Sequence, residues 1–152
     1  MIRVQREDFD IGAEIARVKA GRADIGAIVS FTGTVRDQGG DVTELALEHY
    51  PGMTEAELQR IEADACARWP LQASLIVHRT GTLKPGANIV LVITASEHRD
   101  AAFEAAKFLM DYLKTRAPFW KREGGPGGTR WVETAESDDA SAARWRPKNA
   151  AE

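Results

Sequence analysis

The sequence predicts an α+β fold in a single domain, and three observations carry that expectation. Apolar runs of strand length and segments of helical periodicity are mixed without strict β–α–β alternation, which disfavours a doubly wound sheet. The 152 residues suffice to bury one sizeable core. No internal repeat divides them. Residues 1–146 are expected to form the domain, and the tail 147–152 to fray.

Taken in order, "IGAEIARV" sets Ile11, Ile15 and Val18 at helical spacing behind Asp10, a natural N-cap. "ADIGAIVSFTGTVR" is β-rich and apolar and reads as a largely buried strand, with Gly33 marking a bend or close backbone approach. "DQGGD" is a loop. "TELALEHY" alternates, with Leu45, Leu47 and His49 on one face, and reads as a second strand. After Pro51-Gly52, Thr54 and Glu57 have capping-box spacing, and Met53 and Leu58 that of a hydrophobic staple. The helix they open turns Leu58, Ile61 and Ala65 inward and stops before Pro70.

"ASLIVHRTG" and "IVLVITA" are strand candidates on either side of the turn "KPGAN". "EHRDAAFEAAKFLMDYLK" is a helix of about four turns, with Phe103, Ala106, Met110 and Leu113 as its buried stripe and an end near Arg116, forced by Pro118. "GGPGG" reads as a flexible loop, "TRWVE" as a short strand, and "SDDASAARW" as a last helix capped by Ser137.

Composition excludes several classes. The chain is 43% hydrophobic and 28% charged, as an ordinary globular protein is. No apolar run approaches the ~20 residues of a membrane span, and the charged start "MIRVQREDFD" does not resemble a signal peptide. The single cysteine, Cys66, fits a reducing cytoplasm and reads as a small apolar helix residue. Three scattered histidines (His49, His78, His98) do not spell a metal site, and no phosphate-binding P-loop or nucleophile elbow occurs. A net charge of -3 argues against a general nucleic-acid binder.

Yet from Asp111 to Trp131 five Lys/Arg face two acids, a cationic island suited to a bounded anionic target. Within it "DYLKTRAPFWKREGG" sets Lys114 and Lys121 around Pro118, Phe119 and Trp120. Apolar walls and cationic neighbours such as Arg116 and Arg122 lower a lysine from its usual ~10.4, making a neutral amine accessible. Lys114 also has a plain explanation, the favourable dipole of a helix C-terminus. Elsewhere, Arg36 follows a strand and a glycine, and His98 and Arg99 open a helix whose unpaired N–H groups attract anions. Arg36 also reads as an ordinary surface arginine, His98 as a satisfied capping or core histidine, and His49 and Tyr50 as structural.

The stretches "FTGTVR", "LEHYPGMTEAEL", "HRTGTLKPG", "SEHRDAAFEAAKFLMDYLKTRAPFWKRE" and "RWVE", in order across roughly residues 25 to 133, resemble the molybdopterin synthase catalytic (large) subunit family. The resemblance implies an α/β hammerhead fold with a mixed, mainly antiparallel sheet and flanking helices. It implies a homodimer within a heterotetramer, each copy receiving the C-terminal Gly-Gly thiocarboxylate of a small ubiquitin-like sulfur carrier. The implied reaction transfers sulfur to cyclic pyranopterin monophosphate (precursor Z), forming the molybdopterin dithiolene in molybdenum cofactor biosynthesis. Because the carrier sulfur is the nucleophile, it implies no need for a protein cysteine, and none for a metal or redox cofactor either.

Matched by motif, the family's pocket lysines fall on Lys114 and Lys121, and its anion-pocket residues on Arg36, His98 and Arg99. Thr34 and Val35 precede Arg36 in the substrate loop, and Arg122 and Glu123 extend the pocket. On this reading Lys114 assists proton transfer and holds the acyl end of the tail, while Lys121 orients substrate. The segment "TAESDDASAARWRP" is a candidate to reach a partner subunit's pocket. Two rivals stand beside this reading: an adaptor that binds a ubiquitin-like protein without chemistry, and a single-stranded nucleic-acid binder using Phe119 and Trp120.

Overall fold

Strand side chains alternate between two faces, and in the central strands of this chain both faces are covered. The computed structural model describes residues 1–132 and 136–147. Strands β1 (Ile2–Gln5), β4 (Leu71–Arg79), β6 (Asn88–Ser96) and β2 (Ala27–Thr34) form one sheet in the order β1-β4-β6-β2. β1 runs parallel to β4, and the other neighbours are antiparallel. Leu75, Val77, Leu91 and Ile93 pack with Ile11, Ile15 and Val18 of α1 (Ile11–Lys19). Ile76, Val90 and Val92 point the other way, onto Leu58 and Ile61 of α2 (Met53–Arg68) and Phe108 and Leu109 of α3 (Arg99–Thr115). Each fully buried Leu or Ile is worth ~1.5–3 kcal/mol, so these two clusters fix where α3 lies.

The second sheet is antiparallel throughout, in the order β5 (Gly81–Leu83), β3 (Glu44–His49), β7 (Phe119–Gly125), β8 (Gly128–Val132). It covers a smaller cluster of Val35, Val42, Leu45, Leu47 and Leu83. The last helix, α4 (Glu136–Ala143), is seated on α3 through Trp145. The indole N–H donates to Asp111 Oδ2 at 2.6 Å, and the ring meets Trp69 and Phe108 edge-on. The α+β expectation holds, with mixed and mainly antiparallel strands, although they form two sheets rather than one.

Several local expectations need correction. Asp10 does cap α1, accepting from Ala13 N at 2.9 Å. α2, however, starts one residue before Thr54, with Gly52 as N-cap and the Glu55 carboxylate accepting the Gly52 N–H at 2.7 Å. Thr54 and Glu57 therefore form no capping box, and Met53 is exposed rather than stapled to Leu58. β2 is half exposed, because it lies at the sheet edge. Of the stripe expected on α3, Ala106 and Leu113 are buried and Met110 partly so, but Phe103 is 61% exposed, and Ala102, Ala105, Phe108 and Leu109 complete the buried face. The helix rolls so that small alanines lie toward the sheet.

"GGPGG" is a tight hairpin rather than a flexible loop: Gly125 pairs with Gly128, and a Cβ on Gly125 would sit 2.2 Å from the Asp41 carbonyl oxygen. Ser137 lies inside α4, not at its cap. Cys66 is on α2 and exposed. The short strands β1 and β5 have no counterpart in the sequence reading. Glu133 of "RWVE" and, apart from Pro147, the tail expected to fray lie outside the described residues.

Candidate active site

Arg116 is the C-cap of α3, and Pro118 cannot extend the helix. Two contacts hold the chain where it leaves. The Arg116 guanidinium lies 2.8 Å from Glu57 and over the Tyr112 ring, and the Thr54 hydroxyl donates to the Pro118 carbonyl at 3.2 Å. The chain then returns as β7, setting Lys121 opposite Leu47 of β3. Lys114, in the last turn of α3, and Lys121 consequently line one cavity of about 430 Å³, the size of a small-molecule site.

β2 supplies a third cation. A Cβ on Gly33 would lie 2.9 Å from Val90 Cγ1, so glycine lets β2 approach β6 there, and the register shifts just beyond it. Past this bulge Thr34 and Arg36 line the cavity, together with Phe31 from β2. His78 of β4, Met110 of α3, Phe119 of β7 and Asp138 of α4 complete much of its wall.

The electrostatics of the cavity follow from its walls. Burial first, and then the positive charge of Lys114 close by, bring Lys121 down to about 8, while Asp138 opposes the shift. Burial also drives His78 down to about 3, with Lys121 and Lys114 pushing the same way against its hydrogen bond to the Arg79 carbonyl. At neutral pH the cavity thus holds an uncharged imidazole among cations, one of which gives up its proton near pH 8.

Of the residues singled out from sequence, the structure brings Thr34, Arg36, Lys114 and Lys121 together. Val35 does not line the cavity: its side chain is buried with Val42, Leu45 and Leu47. Arg122 lies 3.8 Å from Glu48, above the Trp131 ring, and Glu123 binds Arg130 at 2.9 Å. Neither lines it. Trp120 is no wall either, since it packs edge-on against Tyr50 with centroids 4.4 Å apart.

His98 and Arg99 sit at the opposite end of α3, whose 17 residues span about 25 Å. Both are solvent-exposed, at 83% and 85% of their side chains. Within one chain they cannot reach the lysines. Phe31, His78 and Asp138 are cavity residues that sequence reasoning missed. Among the described residues, no group of three or more His, Cys, Asp or Glu is placed to hold a metal ion. No helix there is long and apolar enough to cross a membrane.

Comparison with known proteins bears on this arrangement. A family model described as MoaE protein matches residues 4–116. The molybdopterin synthase catalytic subunit of Mesorhizobium japonicum is 59% identical over 149 residues, covering 95% of this chain and 92% of that protein. The structure of molybdopterin biosynthesis MoaE protein from Burkholderia ambifaria matches with a TM-score of 0.83 at 52% identity, over 95% of this chain and 97% of that one. Molybdopterin synthase from Staphylococcus aureus matches with a TM-score of 0.78 at 31% identity, over 86% and 96%. The α/β hammerhead expected from the resemblance is the fold shared with these structures. With the family model spanning most of its length and relatives this similar aligned along nearly all of it, the chain belongs to the MoaE protein family.

Proposed function

We propose that this protein is the catalytic subunit of a molybdopterin synthase. It transfers sulfur from the C-terminal thiocarboxylate of a small ubiquitin-like carrier to cyclic pyranopterin monophosphate. The observation that carries this reading is the cavity that joins Arg36, Lys114 and Lys121 from three separate elements, with Lys121 lowered to about 8 by burial. Two anions must meet here, a cyclic phosphate and a thiocarboxylate. Converging cations remove their repulsion, and arginine suits a phosphate through paired N–H donors.

The chemistry then runs in two bond exchanges. The carrier sulfur bonds to a side-chain carbon of the pterin while a C–O bond at that carbon breaks, and the departing oxygen takes a proton or stays on phosphate. Water next adds to the acyl carbon, whose bond to sulfur breaks. The carrier leaves as a carboxylate and a thiolate stays on the pterin. Two rounds supply both sulfurs, with no net electron transfer.

Lys121, lowered to about 8, is suited to take a proton from the attacking water or give one to the leaving oxygen. We therefore place proton transfer on Lys121 rather than on Lys114, contrary to the roles expected from sequence. Lys114 stabilises the acyl oxyanion by charge. His98 and Arg99 join this site only from a second copy, which the homodimer implied by the resemblance would supply.

The test is reconstitution. Purified protein, thiocarboxylated carrier and the cyclic pyranopterin should yield dithiolene product and carrier carboxylate in a ratio of about two carriers per pterin, as one sulfur is donated each round. A protein that binds carrier tightly and yields no dithiolene is an adaptor, and the proposal is then wrong.

A further inference from the structure

His78 is 6% exposed, and its ring lies flat on Phe119 with centroids 3.7 Å apart at 15°. Its Nδ1 is 2.8 Å from the Arg79 carbonyl oxygen. A carbonyl oxygen only accepts, so Nδ1 carries the hydrogen, and in a neutral ring Nε2 is then a bare lone pair. The ring is neutral because burial disfavours its charge and Lys121, Lys114 and His49 add to that. With one face on Phe119 and Nδ1 on the backbone, the edge bearing Nε2 is left to line the cavity. Among the described residues Nε2 has no hydrogen-bond partner. Nε2 is not among the fully buried unpartnered atoms, so it keeps access to the cavity, and a ligand that fills the cavity must bring a donor or leave this acceptor unpaired.

We infer that Nε2 of His78 accepts a hydrogen bond from a ring N–H of the pterin bound in the cavity, and so determines how the heterocycle is turned toward the lysines. The inference rests on the substrate proposed above. Its support is complementarity of the two halves of one wall. Arg36, Lys114 and Lys121 call for an anion, whereas His78 calls for a neutral donor, and the apolar surfaces of Phe31 and Met110 suit a flat ring. A phosphorylated pterin carries anion, flat ring and N–H donor in one molecule. The carrier tail ends in an anion, which belongs with the lysines rather than with a lone pair. A pocket acceptor of this kind also rejects ring analogues that lack the N–H, because it is left unpaired.

His78→Phe keeps an aromatic ring against Phe119 and removes the acceptor, while His78→Gln returns an acceptor oxygen. With the full-length protein and thiocarboxylated carrier, His78→Phe should raise the KM for the cyclic pyranopterin about five- to tenfold, the loss expected for one neutral hydrogen bond. Its kcat should fall less than its KM rises, His78→Gln should recover most of the loss, and the KM for carrier should stay put. In the wild type, the ¹⁵N resonance of His78 Nε2 should move when the cyclic pyranopterin is added alone. A folded His78→Phe protein with unaltered KM overturns the inference, and so does an Nε2 resonance that answers only to carrier. If the wild type forms no dithiolene at all, the proposed function fails instead, and the resonance under pyranopterin alone still decides the His78 contact.

Discussion

At its N-terminus α3 presents His98 and Arg99 to solvent, where they form only long ion pairs, 3.8 Å to Glu97 and 4.0 Å to Asp100. At its C-terminus the same helix turns Lys114 into a cavity and clamps Arg116 between Glu57 and the Tyr112 ring. In sequence the two ends look alike, each a cluster of cations at a helix boundary. The difference lies in what the chain does next. Beyond Arg116, Pro118 and the Thr54 hydroxyl send it back as β7, so a second lysine returns to face the first. Before His98, β6 ends buried at Ser96, and only the short connection through Glu97 and His98 is exposed. The helix dipole sharpens the contrast: Lys114 is favoured at the negative end, whereas Arg99 gains nothing at the positive one. The proposed contribution of Arg99 to the site of a second copy would account for a cation placed against the dipole and left exposed.

The largest expected effect is at the C-terminal end. Lys121→Ala and Lys114→Ala should each lower product formation by about 100-fold or more, the range for losing a positioned acid–base group or an oxyanion-stabilising charge. Carrier affinity, measured by calorimetry, should change far less than turnover. Near-normal turnover in both variants would dissolve the distinction between the two ends.

Arg99→Ala tests the other end. If Arg99 serves the cavity of a second copy, the variant should lose about 10- to 100-fold, since one charge-assisted contact to an anion is worth ~1.5–3 kcal/mol. Arg99→Ala and Lys114→Ala are then defects in different chains of the same site. Co-expressed with separate tags and purified as mixed dimers, they should regain activity that neither has alone, because one of the two sites is then intact. Mixed dimers as inactive as their parents would place Arg99 outside the site.

How much of this was readable beforehand differs between the ends as well. The boundary at Arg116 was legible because Pro118 excludes helix whatever its surroundings. The convergence of Arg36, Lys114 and Lys121 followed from resemblance, and the register of β7 against β3 supplies its cause. His78 was not legible. A histidine at the end of "SLIVH" carries no local mark, and its role arises from Phe119, far along the chain, stacking on it. β2 looked buried because its residues are apolar, but edge position is a property of sheet order, and sheet order is not local. Phe103 was misplaced for a similar reason. The apolar pattern allows two faces for α3, and close packing on the sheet selects the alanines.

A smaller effect is in pH. Lys121 releases its proton near 8, lowered chiefly by burial, so its neutral fraction rises about tenfold between pH 7 and pH 9. If water is activated by the neutral amine, single-turnover hydrolysis of the acyl intermediate should rise accordingly and level off above 9. Stability should move the same way. With the folded value below the unfolded one, the unfolded chain binds more protons between about 8 and 10.5, so this group's contribution to folding grows as pH rises through that window. A rate that is flat from pH 7 to pH 9 would leave Lys121 as a fixed charge rather than an acid–base group.

The smallest effect concerns α4, and it asks whether the C-terminal end of α3 is complete within one chain. Asp138 lines the cavity and partly offsets the lowering that burial and Lys114 impose on Lys121. Replacing it with asparagine keeps the shape and removes the charge, so Lys121 should titrate lower still. The midpoint of the pH–rate curve should move to lower pH, and only modestly, because the Asp138 carboxylate is no more than partly buried and is screened by salt. The seat of α4, Trp145 on Asp111 with Trp69 and Phe108 beside it, is untouched by the change, so thermal stability should hold. A midpoint that stays fixed at low ionic strength means that Asp138 does not face Lys121 in solution. The same curve recorded with an excess of a variant lacking its own Asp138 carboxylate, mixed into dimers, then tells whether the charge on Lys121 is set by its own α4 or by that of the second copy.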